Sequence, residues 1–173
     1  MILFATSAEY ADLTEDDHLL AGALEARGVA VEPLVWNEVD AASVDAAALV
    51  LIRSCWDYHL HPERFIGWIE ALHARGITVV NPPALVRWNM HKRYLLDLAA
   101  RGVAIIPTVR VTPEDARPLA AILAEAGWDE AVIKPAVSLN AWETWRERRE
   151  DAGRDEARFA ALRARGDVLV QPF

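Results

Sequence analysis

The chain contains little cysteine and little lysine, and each shortage narrows the classes of protein it can be. Cys55 is the only cysteine among the 173 residues, so no internal disulfide can form. With a single cysteine and no secretory leader, we expect a cytoplasmic protein. No apolar run approaches the roughly 18 residues that a membrane helix needs, so no membrane association is expected.

Acidic residues outnumber basic ones, 26 to 18, and this argues against a further class of protein. The formal net charge is -8, whereas proteins that bind nucleic acids need stripes of Lys and Arg against the phosphate backbone. We therefore expect no nucleic-acid partner. A nucleotide ligand stays open because it needs only a few well-placed cations. The sequence also leaves open whether the chain forms a homodimer.

The first half of the chain has an α/β pattern. Hydrophobic residues make up 53% of the sequence, which is ample for a core. Apolar runs at Ile2–Ala5, Ala47–Ile52 and Ile77–Val80 alternate with helical patterns, which predicts a Rossmann-like open parallel sheet with helices on both faces. The segment Ala5–Glu9 lacks the glycine fingerprint of a dinucleotide site, so none is expected there.

A proline-rich turn at Asn81-Pro82-Pro83 predicts a boundary between a first domain, 1–82, and a second, 83–173. Beyond this turn the pattern predicts one helix over Leu85–Ala100. The chain ends directly after an apolar strand at Val168–Val170, with no polar tail. We therefore expect a second domain that is truncated.

Only two lysines occur, Lys92 and Lys134. Lys134 follows the buried strand Ala131–Ile133, where a charge is costly unless an anion meets it. An ammonium group is a compact point charge that suits phosphate. The alternative is that Lys134 marks the place where the strand reaches solvent. Lys92 is predicted to lie early in the helix that follows the boundary.

The order of these segments resembles the ATP-grasp superfamily. The segments that carry the resemblance are Asn89–Leu96, Val132–Pro135 and Val168–Phe173. With Arg53–Tyr58 included, the chain is similar to the glutathione-synthetase-like branch, near the O-ureido-serine cyclo-ligase of D-cycloserine biosynthesis. The resemblance implies a pre-ATP-grasp substrate domain followed by the first part of an ATP-grasp α+β domain.

The function implied by this resemblance is an ATP-dependent carboxylate–amine or carboxylate–nitrogen ligase that forms an acyl phosphate on a small, amino-acid-like substrate. The family's Mg²⁺ ligands are expected beyond Phe173, so we predict no metal ligand, no certain catalytic residue and little or no ligase activity in this chain. The alternative is a non-catalytic nucleotide- or amino-acid-binding module with the same fold. A flavodoxin-like signalling domain is disfavoured by the second region.

The resemblance also implies roles for individual residues toward ATP. Lys92 and Lys134 would neutralise charge on the phosphates, and Gln171 and Phe173 would frame the adenine. The loop 136–146 would cover the phosphates as a lid.

Two residues of that lid are candidate ligands of ATP. Ser138 could donate a hydrogen bond to phosphate, and Arg146 could add charge. The loop has no glycine, whereas many lids of this family are glycine-rich.

A substrate site is predicted where the third strand ends, because open α/β sheets bind ligands outside the carboxyl ends of their strands. Arg53 could clamp a carboxylate, and Asp57 could hold an ammonium group. The full candidate set is Arg53, Ser54, Trp56, Asp57 and Tyr58. The alternative is structural: Arg53 pairs with a nearby acid, Trp56 fills the core and Asp57 caps a turn.

Overall fold

The computed structural model describes residues 1–173, which form two compact units, Met1–Trp88 and Asn89–Phe173. The sequence places the boundary at residue 82, whereas the contacts group residues 83–88 with the first unit. Arg87 contributes to this grouping because its Nε donates a hydrogen bond to Glu70 Oε1, 3.2 Å away. Across the chain, no helix combines the length and the apolarity that a bilayer-spanning segment requires.

The first unit is a parallel sheet with helical connections. Its elements are β1 Ile2–Thr6, α1 Glu15–Glu25, β2 Val31–Val35, β3 Leu49–Ile52, α2 Pro62–Ala74, β4 Thr78–Val80 and α3 Pro83–Met90, the last of which runs to the boundary. The strand order is β2-β1-β3-β4 and every pair is parallel. This confirms the predicted parallel sheet. The chain moves from β1 to one side and then crosses to the other, so the strand order reverses between β1 and β3.

Local sequence explains how α1 begins. Thr14 caps the helix, since its Oγ1 accepts a hydrogen bond from the backbone N–H of Asp17 at 3.2 Å. The chain leaves the helix through Gly28, which has a φ of 79°. A threonine before a run of acids and a glycine after the last turn are common start and stop signals of a helix.

The second unit is built around an antiparallel sheet. Its elements are α4 Tyr94–Ala100, β5 Val109–Val111, α5 Leu119–Ala126, β6 Glu130–Pro135, β7 Trp145–Arg148, α6 Glu156–Arg163 and β8 Val168–Pro172. The strand order is β5-β8-β6-β7. One face packs in a core formed by residues of α5, α6 and the strands, among them Leu119, Leu123, Ile133, Phe159 and Val170. An α/β unit followed by this sheet confirms the predicted fold class.

Tertiary contacts change two elements that the sequence predicts. The single helix expected over 85–100 is wrong: α3 ends at Met90 and α4 begins at Tyr94. Between them the backbone N–H of Lys92 donates to the carbonyl of Ala136 at 2.8 Å, a bond to a distant strand end in place of one within a helix. Strand β7 is the other change: its last three residues belong to a run of charged side chains, Arg146–Asp151, that has no strand pattern.

Candidate functional site

Successive side chains of β6 project to opposite faces of the sheet in the second unit. Ile133 is fully buried in the core, whereas Val132 and Lys134 point to the opposite face. The register places Val132 opposite both Arg146 on β7 and Gln171 on β8. Residues directly opposite each other in an antiparallel pair project to the same face. Lys134, Arg146 and Gln171, predicted separately as ATP ligands, therefore share the face that is turned away from the core.

Lys92 lies in the turn between α3 and α4, not inside a helix as the sequence predicts. Its backbone is fixed to Ala136 just beyond β6. Its Nζ donates to the carbonyl oxygen of Ser138 and to Ser138 Oγ, the latter at 3.1 Å. The structure thus brings Lys92 and Ser138 together at the end of the strand that carries Lys134.

The two lysines influence each other electrostatically. Burial lowers the pKa of Lys92, and the nearby charge of Lys134 lowers it further, to about 8. Burial also lowers the pKa of Lys134. No carboxylate forms an ion pair with either lysine. The unit therefore holds two half-buried ammonium groups whose charges no acid of the chain compensates.

A hydrogen-bonded group fixes the turn that carries Lys92. His91 Nε2 lies 3.2 Å from Asp167 Oδ2, and the same oxygen accepts a hydrogen bond from Arg110 Nε. His91 Nδ1 accepts from the backbone N–H of Arg93, also at 3.2 Å. Burial lowers the pKa of His91 against the opposing effect of Asp167, so the ring is neutral at pH 7 with its proton on Nε2.

The sequence does not predict this group, because His91, Arg110 and Asp167 are far apart in the chain and share no local pattern. His91 stands out in the sequence only as one of five histidines without metal-ligand spacing. In the structure it flanks Lys92 and anchors the turn to the residue before β8.

Arg146 and Phe173 contact each other. The Arg146 guanidinium carbon lies 3.5 Å from the centre of the Phe173 ring, and Arg146 also pairs with Glu130. Phe173 itself is 69% exposed. Gln171 is buried, and its Nε2 donates to Thr108 Oγ1 at 2.8 Å. The side chains of Arg146 and Gln171 are thus engaged within the unit, whereas the Phe173 ring keeps an open surface.

The predicted lid is shorter than expected. Residues 145 and 146 belong to β7, so the loop is 136–144 and Arg146 does not lie in it. Three residues of this loop have positive φ angles although none is glycine: Asn140 at 49°, Ala141 at 56° and Glu143 at 50°. The loop therefore adopts backbone conformations that glycine favours, without glycine.

In the first unit, Asp17 forms hydrogen bonds with two of the predicted substrate residues. Its carboxylate accepts hydrogen bonds from Arg53 Nε at 2.6 Å and from Ser54 Oγ at 2.5 Å. Asp17 is 1% exposed. Burial by itself would raise the pKa of Asp17, but the hydrogen bonds from Ser54, Arg53 and Thr14 outweigh it and hold the pKa below the ordinary value.

Sequence analysis did not single out Asp17, which looks like an ordinary acid in the first turn of a helix. Its pairing with Arg53 is the structural alternative that the sequence left open. The pairing uses Nε only, and the two terminal nitrogens of Arg53 have no acceptor within the chain.

The remaining substrate candidates lie near the same sheet edge. Asp57 accepts hydrogen bonds from Trp36 Nε1 at 2.6 Å and Asn37 Nδ2 at 3.2 Å. Trp56 does not fill the core: it is 42% exposed and meets Tyr10 edge-to-face, with ring centres 4.8 Å apart. Tyr58 packs on Phe65 with ring centres 5.6 Å apart.

Cys55 lies within this segment but is no nucleophile. Its side chain is buried, and burial raises the pKa of the thiol far above its ordinary value, with the charge of Asp57 adding to the effect. The thiolate that nucleophilic chemistry requires is therefore suppressed.

A parallel unit followed by an antiparallel unit with paired lysines defines the class of protein: the chain corresponds to the N-terminal part of an ATP-grasp protein. The model of the family "D-cycloserine synthetase DcsG, N-terminal domain" matches residues 2–81. The cycloserine biosynthesis protein DcsG of Streptomyces lavendulae is 34% identical over 154 residues, covering 84% of this chain and 50% of that protein. The chain is therefore similar to DcsG and to the N-terminal part of ATP-grasp proteins.

Solved structures agree with this relationship. The crystal structure of D-cycloserine synthetase DcsG superposes with a TM-score of 0.85 at 29% identity, covering 99% of this chain and 59% of that one. The ATP-grasp ligase PsnB, solved with a minimal precursor, Mg and ADP, shares the fold with a TM-score of 0.54 at 19% identity, covering 99% of this chain and 65% of that one. The chain spans about half the length of the curated relative it matches.

Proposed function

We propose that this chain supplies the nucleotide-phosphate site and the substrate-binding sheet edge of an ATP-dependent carboxylate–amine or carboxylate–nitrogen ligase. The single observation that carries the proposal is the convergence of Lys92 and Lys134, the only two lysines, without an acidic partner. Two uncompensated and half-buried positive charges raise the free energy of the free protein, and a polyanion offsets that cost.

The chemistry of such a ligase requires charge stabilisation from this site. A substrate carboxylate attacks the γ-phosphorus of ATP, which gives an acyl phosphate and ADP. A nitrogen nucleophile then attacks the acyl carbon, loses a proton and expels inorganic phosphate. The two ammonium groups would hold the polyphosphate and stabilise the charge that moves onto it as the γ-phosphoryl group leaves.

The residues present fit ATP but do not by themselves fit a metal ion. Lys92, Lys134 and the Ser138 hydroxyl are groups that bind phosphate. In residues 1–173, no three side chains among His, Cys, Asp and Glu come close enough to hold a metal ion. PsnB was solved with Mg and ADP, and Mg²⁺ would supply further charge neutralisation here.

Nucleotide binding tests the proposal directly. Lys92→Met and Lys134→Met keep most of the side-chain volume and remove one charge each, so each should weaken ATP binding about tenfold, measured by calorimetric titration. Arg93→Ala is the matched control, since Arg93 is exposed in the same turn and should change the affinity less than about twofold. Unchanged ATP affinity in both methionine variants would contradict the proposal.

A second candidate function is a nucleotide- or amino-acid-binding module without turnover. The glycine-free loop 136–144 favours it, because side chains limit how closely the backbone N–H groups can approach phosphate. Phosphate release from ATP, screened over small amino acids with the complete protein, separates the two. Binding of ATP without phosphate release in the presence of any tested amino acid would support the non-catalytic module.

A further inference from the structure

The reversal point of the parallel sheet carries a second group of polar residues that the nucleotide site does not use. The strand order reverses between β1 and β3. In open α/β sheets, ligands bind outside the carboxyl ends of the strands at such a point. Ser7 follows β1 and Arg53 follows β3, so both lie at this position.

The backbone holds these two residues side by side. The N–H of Arg53 donates to the carbonyl of Ala5 at 2.9 Å, and the N–H of Ser7 donates to the carbonyl of Ser54 at 3.1 Å. These bonds continue the β1–β3 ladder beyond the last paired residues. The backbone of both residues is therefore fixed by the sheet itself.

Both residues retain unused hydrogen-bond donors. Arg53 gives Nε to Asp17 and keeps both terminal nitrogens without an acceptor, with its side chain 32% exposed. Ser7 is only 2% exposed, yet its hydroxyl bonds to no group of the chain, and it is not among the fully buried unpaired atoms. A hydroxyl and the fork of a guanidinium group together match the oxygens of a planar anion.

Asp17 determines which anion fits. Its carboxylate is ionised, because its pKa is held below the ordinary value, and it cancels the charge of Arg53. The net charge of the pair is close to zero, so its net attraction does not offset the larger desolvation cost of a dianion. Ser54 is occupied by Asp17 and is not available to a ligand.

We propose that Arg53 and Ser7 bind the carboxylate of a small monoanionic acid, and that Asp17 orients Arg53 and makes the site selective for a single negative charge. This inference rests on the proposed function only in identifying the acid as the ligase substrate. Asp17 is a positioning residue, and it does not touch the ligand.

The test follows the backbone N–H signals of residues 7 and 53 by NMR in the full chain while acetate, chloride or inorganic phosphate is added at constant ionic strength, above the second pKa of phosphate. We expect saturable acetate binding that chloride does not reproduce, lost in Arg53→Gln and about fivefold weaker in Ser7→Ala. Asp17→Asn should shift selectivity about tenfold from acetate toward phosphate, whereas Asp16→Asn, an exposed neighbour in the same helical turn, should not.

A readout based on charge selectivity separates positioning from a merely structural role, because partial unfolding would weaken both anions together. No saturable acetate effect, or tighter phosphate than acetate binding in the unchanged protein, would overturn the proposal. ATP titration of the same variants distinguishes the two ideas. Acetate binding without ATP binding would contradict the proposed ligase function but support this carboxylate site. ATP binding without acetate binding would contradict this site alone.

Discussion

The two units differ in whether the central charges of their candidate sites are balanced by an opposite charge. In the first unit the charge of Arg53 is balanced inside the fold by Asp17, and Asp57 is held by Trp36 and Asn37. In the second unit Lys92 and Lys134 lie close together without any acid to balance them. This difference agrees with the two proposals, which give the first unit a ligand of small charge and the second a polyanion.

The two sites therefore also differ in how they affect the stability of the free protein. A paired buried carboxylate stabilises the fold as long as both partners remain, and it destabilises the fold when one is removed. Two unpaired ammonium groups of like charge destabilise the free protein and are relieved only on binding. Four predictions should sharpen or break the comparison.

The largest effect should come from removing the balancing acid of the first unit. Asp17→Ala leaves the buried Ser54 hydroxyl and the Arg53 guanidinium without their acceptor and should lower the free energy of unfolding by about 2 kcal/mol. Urea denaturation measures this change. Asp16→Ala, which removes an exposed charge, should stay within about 0.5 kcal/mol of the unchanged protein.

The same carboxylate predicts how stability depends on pH. Because the folded pKa of Asp17 is depressed, its contribution is present above the unfolded pKa of about 3.9 and is lost as the pH falls through the folded value. Asp17→Asn should therefore remove part of the acid sensitivity. Equal acid sensitivity in both proteins would argue that the Arg53 pairing contributes nothing to the fold.

An intermediate effect is expected in the second unit. The pKa of Lys92 is about 8 in the free protein, so its charge disappears as the pH rises above that value. ATP affinity should fall about tenfold between pH 7 and pH 9, since protonation must then accompany binding. Calorimetry in buffers of different ionisation enthalpy would detect the proton uptake. A flat profile, or one that survives in Lys92→Met, would show that Lys92 is not the titrating group.

The smallest effect concerns the loop that follows Lys134. Ala141 is exposed and has a φ of 56°, a conformation that costs an L-residue energy and costs glycine little. Ala141→Gly should raise the free energy of unfolding by about 0.5 kcal/mol. Ala126→Gly is the opposite control, because Ala126 lies at the end of helix α5, where glycine is destabilising. Destabilisation by Ala141→Gly would contradict the strained geometry.

Local pattern was sufficient for much of the fold. The apolar runs of β1 and β3 and the capping residue Thr14 are properties of adjacent residues, and the structure places them where the sequence predicts. The resemblance to ATP-grasp proteins was equally readable, since it depends on the order of segments along the chain. The roles of the individual site residues stay predictions.

Other features depended on partners far away in the chain. The helix predicted through residue 92 is broken because the Lys92 N–H bonds to Ala136, and nothing near Lys92 in sequence announces that bond. Asp17 looks like a helix-capping acid until the fold brings Arg53 to it across 36 positions. Strand β7 consists mostly of charged residues, and it forms because its backbone pairs with the edge of β6.

The sequence by itself determined the layered α/β architecture, most of the strands and helices, and the presence of only two lysines, because periodicity, capping and composition are local or additive. Only the tertiary structure decided which charges are balanced and which are not. Whether a side chain meets an opposite charge depends on a few ångströms of separation between segments that the chain connects through dozens of residues. That distance, rather than the residue type, makes Arg53 part of a neutral pair and leaves Lys92 and Lys134 as two uncompensated charges.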